Sequence, residues 1–183
     1  MSFKVERSAS LALLLAALLS APQAFAKNHG IETAGNVVKF ALPVAGVGIA
    51  LLHDDDDGIL QLGASWLGSY GISLLLKQVV HEERPDHKGH DSFPSDSTAT
   101  AFAAASSIQA RYGWDYGLPA YALATFVGYS RVAADKHHWH DVAAGALIGW
   151  GLGQLLTDRY ERFPDVQAYA DSKSAGFDVQ WHW

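Results

Sequence analysis

The chain contains no cysteine. Disulfide frameworks and thiolate metal sites are therefore excluded. It also lacks a positive excess: 13 Lys and Arg against 19 Asp and Glu give a net charge of −6. A nucleic-acid partner, which needs a basic face, does not fit. Long-period repeats and low-complexity linkers are missing as well. Several apolar segments are only about 13–17 residues long, against the roughly 20 of a bilayer span. Gln61, Gln109 and Gln154 interrupt them, and the mean hydropathy is just +0.03. These shortages weigh toward a soluble or peripheral domain. Against them stands Gly145-x3-Gly149-x3-Gly153, the small-residue spacing of close-packed membrane helices, so membrane association stays open.

A length of 183 residues argues for one domain. Residues 1–26 read as a secretory signal. Lys4 and Arg7 precede the apolar run Ser10 to Ala21, and Ala24-Phe25-Ala26 supplies the small-x-small cleavage pattern. The expected location is the cell envelope, exported, with the protein periplasmic or in the inner membrane facing the periplasm. Five apolar segments follow: Asn36–Leu52, Gly58–Leu76, Thr98–Ala110, Gly117–Ala133 and Val142–Leu156. Their Ala, Leu and Gly content favours helices. The fold expected for residues 27–163 is an all-α bundle of about five helices. Residues 164–183 form a tail of different composition, and Phe177 to Trp183 alternates apolar with polar residues, predicting a short strand.

Basic and hydroxyl residues gather where the apolar segments end. Lys77 closes the second, and Arg84-Pro85 follows after six residues. Phe93-Pro94-Ser95 precedes the third, Ser130-Arg131 ends the fourth, and His137 and Asp141 open the fifth. A bundle that brings these ends to one pole offers fixed positive charge, forked donors and helix N-terminal amides, which a phosphate dianion requires.

Lys77-(six residues)-Arg84-Pro85 and Ser130-Arg131-(five residues)-His137-(three residues)-Asp141 resemble the first and third signatures of the type 2 phosphatidic acid phosphatase and vanadium haloperoxidase superfamily. Pro94-Ser95-Asp96-Ser97 stands where that superfamily has Pro-Ser-Gly-His. The resemblance implies that Lys77, Arg84, Ser95 and Arg131 hold the phosphate. It implies that His137 attacks phosphorus to give a phosphohistidine, and that Asp141 accepts a hydrogen bond from the far nitrogen of His137. No cofactor or metal is implied; vanadate is expected to inhibit as a phosphate mimic. The implied activity is hydrolysis of phosphomonoesters or lipid phosphates.

Ser97 replaces the histidine that protonates the leaving oxygen, and a serine hydroxyl is far too weak an acid. Asp96 replaces a glycine. His87, His90, His138, His140 or Asp96 would then have to supply the proton. The alternative is a catalytically weakened envelope protein that binds a phosphate or phospholipid. A haloperoxidase fits less well, because that site also uses the missing histidine.

Two further clusters have simpler readings. His137, His138 and His140 have metal-ligand spacing, but no carboxylate or distant histidine is specifically placed to complete a site. Asp54 to Asp57 hints at a calcium loop, but the twelfth position is Ala64 where a Glu is needed, so a solvated acidic turn is expected. The six Trp are expected in core or interface packing.

Overall fold

In the computed structural model, residues 28–160 and two strands, 165–170 and 175–180, are described. The segment expected to be an export signal and the terminal Trp181 to Trp183 lie outside the described residues. Five helices run alternately up and down: α1 (Asn28–Leu52), α2 (Asp56–Val79), α3 (Asp96–Tyr112), α4 (Trp114–Ala133) and α5 (Trp139–Leu156). Each predicted apolar segment lies within one of them, and polar end residues extend every helix. The tail forms β1 (Asp165–Ala170) and β2 (Ala175–Gln180), antiparallel, with Asp165 opposite Gln180. One strand was expected; a strand alone leaves its amides and carbonyls unpaired, and the hairpin pairs them.

The centre of the bundle is α3, built almost wholly from Ala, Ser and Thr. Ala99, Ala101, Ala103, Ala104, Ala105, Thr98, Thr100 and Ser106 are all fully buried. Small side chains let neighbouring backbones come close. Helix α5 exploits this. A Cβ on Gly145 would strike the Ser95 carbonyl, one on Gly149 the Ala99 carbonyl, and one on Gly153 the Ser106 side chain. The neighbouring Gly151 faces open space. Gly149→Val should therefore cost about 1–3 kcal/mol or more through overpacking, while Gly151→Ala should be neutral or stabilising by up to about 1 kcal/mol. Thermal melts of the two variants in mild detergent check the contrast.

Large apolar side chains are turned outward. Val37, Phe40 and Val44 on α1, Leu60, Leu67 and Leu75 on α2, Leu118 on α4 and Leu147 and Leu155 on α5 are exposed. The stretches His29–Leu52 and Asp56–Val79 are long and apolar enough to cross a membrane, and a third or less of their most apolar windows is buried in the bundle. Trp114 and Trp139 open α4 and α5 at opposite poles, and both are exposed rather than in the core. That is where interfacial aromatic belts lie. These faces reverse the weight toward a soluble domain.

The pole opposite the expected site is locked by Asp55, between α1 and α2. Its carboxylate caps α2 through Gly58 N at 3.0 Å and takes Arg111 Nε at 2.7 Å and Nη2 at 2.5 Å, with Tyr112 Oη at 2.7 Å. The acidic turn is thus partly internal: Asp55 is 5% exposed. Burial alone would raise its pKa, but Arg111, Tyr112 and Gly58 together lower it to about 2. A carboxylate with a depressed pKa stabilises the fold fully above its unfolded value. It loses that contribution as pH falls through the folded value. Stability from this pair should therefore hold from pH 7 to about 4 and decline toward pH 2. Asp55→Asn should cost about 3–5 kcal/mol at pH 7 by leaving Arg111 buried and unpaired. It should also flatten the acid limb, as melting temperature against pH will read out.

Candidate phosphate site

The other pole gathers the first turns of α1, the C-terminal ends of α2 and α4, the N-terminal ends of α3 and α5, and the loop from Val80 to Ser95. Lys77 lies in the last turn of α2 and Arg131 in the last turn of α4. Asp135, in the left-handed region at φ 55°, turns the chain from α4 toward α5 and delivers His137. Its carbonyl accepts from Asp86 N at 3.0 Å, and Lys136 Nζ donates to Asp86 Oδ2 at 2.9 Å. The long loop is thereby tied to the turn that carries the histidine.

His137 is 4% exposed. Its Nδ1 lies 2.7 Å from the Ser92 carbonyl oxygen. A carbonyl can only accept, so Nδ1 carries the proton and Nε2 keeps its lone pair. Burial, followed by the positive charge of Lys77, lowers the histidine pKa to about 4, so the ring is neutral at ordinary pH.

This corrects the expected role of Asp141. Its Oδ2 stands 3.7 Å from His137 Nδ1, beyond hydrogen-bond range. Instead Oδ2 accepts from Ser92 Oγ at 2.5 Å and from His138 N at 2.8 Å. Asp141 therefore holds the residue that holds the histidine. The i, i+4 spacing brings the two near each other, but the intervening loop takes the bond.

The cations converge as the sequence led us to expect, with differences in detail. Lys77 Nζ donates to the Asp91 carbonyl at 2.5 Å, and Arg84 Nη2 donates to Asp91 Oδ2 at 2.8 Å. Arg84 Nε is buried without a hydrogen-bond partner, a free donor for an anion. The guanidinium of Arg131 is bound to α1 through Asn36 Oδ1 at 2.9 Å and the Glu32 carbonyl at 3.0 Å. Ser95 is the N-cap of α3. Its hydroxyl lies 2.9 Å from Thr98 Oγ1, and it accepts from Thr98 N at 3.4 Å; it serves its own helix here.

Asp96 sits among these cations. Its carboxylate lies 3.5 Å from Lys77 Nζ and 3.6 Å from Lys39 Nζ, and it acts at longer range on Arg131 and His137. A resident carboxylate thus stands where a phosphate would be attracted. Lys39 was missed by sequence reasoning. It lies on α1 and donates to Ser97 Oγ at 3.1 Å. Its signal was there to be read: a single ammonium inside an apolar helix points inward to a partner. Of the histidines offered as acids, His87 pairs with Glu83 at 2.7 Å on the surface, and His140 pairs with Glu82 at 2.6 Å.

A neutral, buried imidazole with a free nitrogen beside clustered Lys and Arg defines a helical phosphate site. The chain belongs to the PAP2 superfamily, whose model matches residues 58–164. It is 31% identical over 170 residues to the lipid A 4'-phosphatase of Helicobacter pylori, covering 82% of this chain and 85% of that protein. It is 41% identical over 119 residues to the lipid A 1-phosphatase of Porphyromonas gingivalis, covering 61% of this chain but 26% of that longer protein. The crystal structure of Aquifex aeolicus LpxE matches with a TM-score of 0.58 at 20% identity, over 79% of this chain and 92% of the other. A transmembrane PAP2-type phosphatidylglycerolphosphate phosphatase from Bacillus subtilis matches with a TM-score of 0.51 at 25% identity, over 85% and 86%. The protein is a phosphatase of this superfamily, and the reading as a mere phosphate binder is not favoured.

Proposed function

We propose that the protein is a membrane-embedded lipid phosphatase that removes a phosphate from a lipid A-type glycolipid, with His137 as nucleophile. The observation that carries this is the free Nε2 of a neutral His137 inside a cation cluster, in a chain 31% identical to a lipid A 4'-phosphatase. Nε2 attacks phosphorus and the bond to the sugar oxygen breaks. Lys77, Arg84 and Arg131 offset the charge on the phosphoryl oxygens, so the displacement proceeds on the chain's own countercharges. Water then attacks the phosphohistidine, releases inorganic phosphate and returns Nε2 to its starting state.

The leaving oxygen needs a proton. Lys39 supplies it through the Ser97 hydroxyl: Ser97 gives its proton to the oxygen as it receives one from the Lys39 ammonium. In the second step the attacking water returns the proton by the same route. Asp96 moves off the cations as the phosphate enters.

Orientation follows from the chain direction. With Lys4 and Arg7 held on the cytoplasmic side, the apolar run to Ala21 brings the start of α1 out on the far side, whether or not the segment is removed. The site lies at that end of α1 and faces the periplasm. The test is phosphate release in detergent micelles from bisphosphorylated lipid A, monophosphorylated lipid A and soluble sugar phosphates. Faster release from the lipids supports the reading; equal or faster release from the soluble esters sinks it.

A further inference from the structure

Beside the phosphate cradle lies a second cluster, outside the proposed chemistry. Glu82 comes from the loop after α2, and His138, His140 and Asp141 from the start of α5. One ligand atom from each lies within 4.8 Å of all the others. His138 Nδ1 stands 3.3 Å from Glu82 Oε1 and 3.4 Å from Asp141 Oδ2. His140 Nε2 stands 2.6 Å from Glu82 Oε1 and 3.1 Å from Asp141 Oδ1.

Two of these atoms lack hydrogen-bond partners. Asp141 is 0% exposed, and its Oδ1 is buried with no donor on it; His138 Nδ1 is likewise buried and unpartnered. A buried carboxylate oxygen with no donor is costly and rare. Both orphan atoms border the same small space. We infer that Glu82, His138, His140 and Asp141 form a four-ligand site for a divalent transition metal, best suited to zinc.

The chemistry of the donors supports zinc. Two imidazole nitrogens and two carboxylate oxygens suit it, whereas magnesium prefers oxygen alone. Ligands about 2.0–2.2 Å from a tetrahedral zinc lie roughly 3.3–3.5 Å apart, near three of the four separations above. The fourth is a His140–Glu82 hydrogen bond, which opens as the ion replaces its proton. Sequence reasoning saw the histidine spacing but found no carboxylate to complete it. Glu82 completes it from a loop more than fifty positions away. His137 itself is no ligand, since its Nδ1 is committed to the Ser92 carbonyl.

The metal would not touch the phosphate. It would clamp the Val80 to Ser95 loop to α5 and fix Asp141, whose other oxygen holds Ser92. Its role is therefore to position His137 from behind. The inference does not depend on the substrate, and its test needs no activity.

Untagged full-length protein is stripped with a chelator and titrated calorimetrically with zinc chloride. One equivalent should bind per chain. Cobalt(II) in its place should give the intense visible bands of a four-coordinate centre. Glu82→Gln and His140→Ala, at positions with side chains 29% and 59% exposed, should each weaken zinc binding by about 100-fold at unchanged helical content. Absence of zinc uptake, uptake unaltered in both variants, or the weak bands of six-coordinate cobalt would each overturn the assignment.

Discussion

Replacing His137 with alanine should lower phosphate release by at least about 10⁴-fold on every substrate, because the step loses its nucleophile rather than an auxiliary group. The ring is buried, neutral and fixed through Nδ1 to the Ser92 carbonyl, so Nε2 is its only reactive atom. No neighbour can replace it: His138 and His140 face Glu82 instead. Wild-type protein mixed briefly with phosphate-labelled lipid and quenched in alkali should retain acid-labile label, and the variant should retain none. The variant must keep its helical signal in detergent, which a His137→Asn control at the same position can support. Substantial release by a folded His137→Ala protein would remove the mechanism.

Lys39→Met should slow alkyl and lipid phosphates by about 10²–10⁴-fold while sparing aryl phosphates. An alkoxide leaves poorly without a proton, whereas a nitrophenolate departs unaided. The selectivity separates two roles for Lys39. If the ammonium merely attracts phosphate, both substrate types lose rate alike. If it feeds a proton through Ser97 at 3.1 Å, only the alkyl series suffers. Ser97→Ala should show the same selectivity. Ser97→His should restore alkyl cleavage in the Lys39→Met background, because an imidazole there is an acid in its own right. Equal losses on both series would return the question to Asp96.

Much of this site was legible in the chain itself. Lys77, Arg84, Arg131 and His137 were placed together because each terminates or opens an apolar segment, and alternating helices must bring such ends to common poles. The five helices were legible for the same reason: their apolar runs and polar connectors are local features. Three contacts were not legible. Asp141 was assigned to His137 from i, i+4 spacing, yet the loop residue Ser92 takes the bond. Lys39 and Glu82 belong to no local pattern, and only chain reversal brings them to Ser97 and His140. Ser95 was expected to face the phosphate, but as the N-cap of α3 its hydroxyl satisfies Thr98 N.

The direction in which each helix faces was decided by tertiary structure alone. The least apolar helix, α3, is the most buried, while Leu and Val on α1, α2 and α5 point outward. Composition determined that these segments are helical and how many there are. It could not determine which faces meet. Ala, Ser, Thr and Gly win the interior because close backbone approach stabilises helix contacts where lipid makes apolar burial nearly neutral. Side-chain hydropathy is then free to satisfy the surroundings rather than the core.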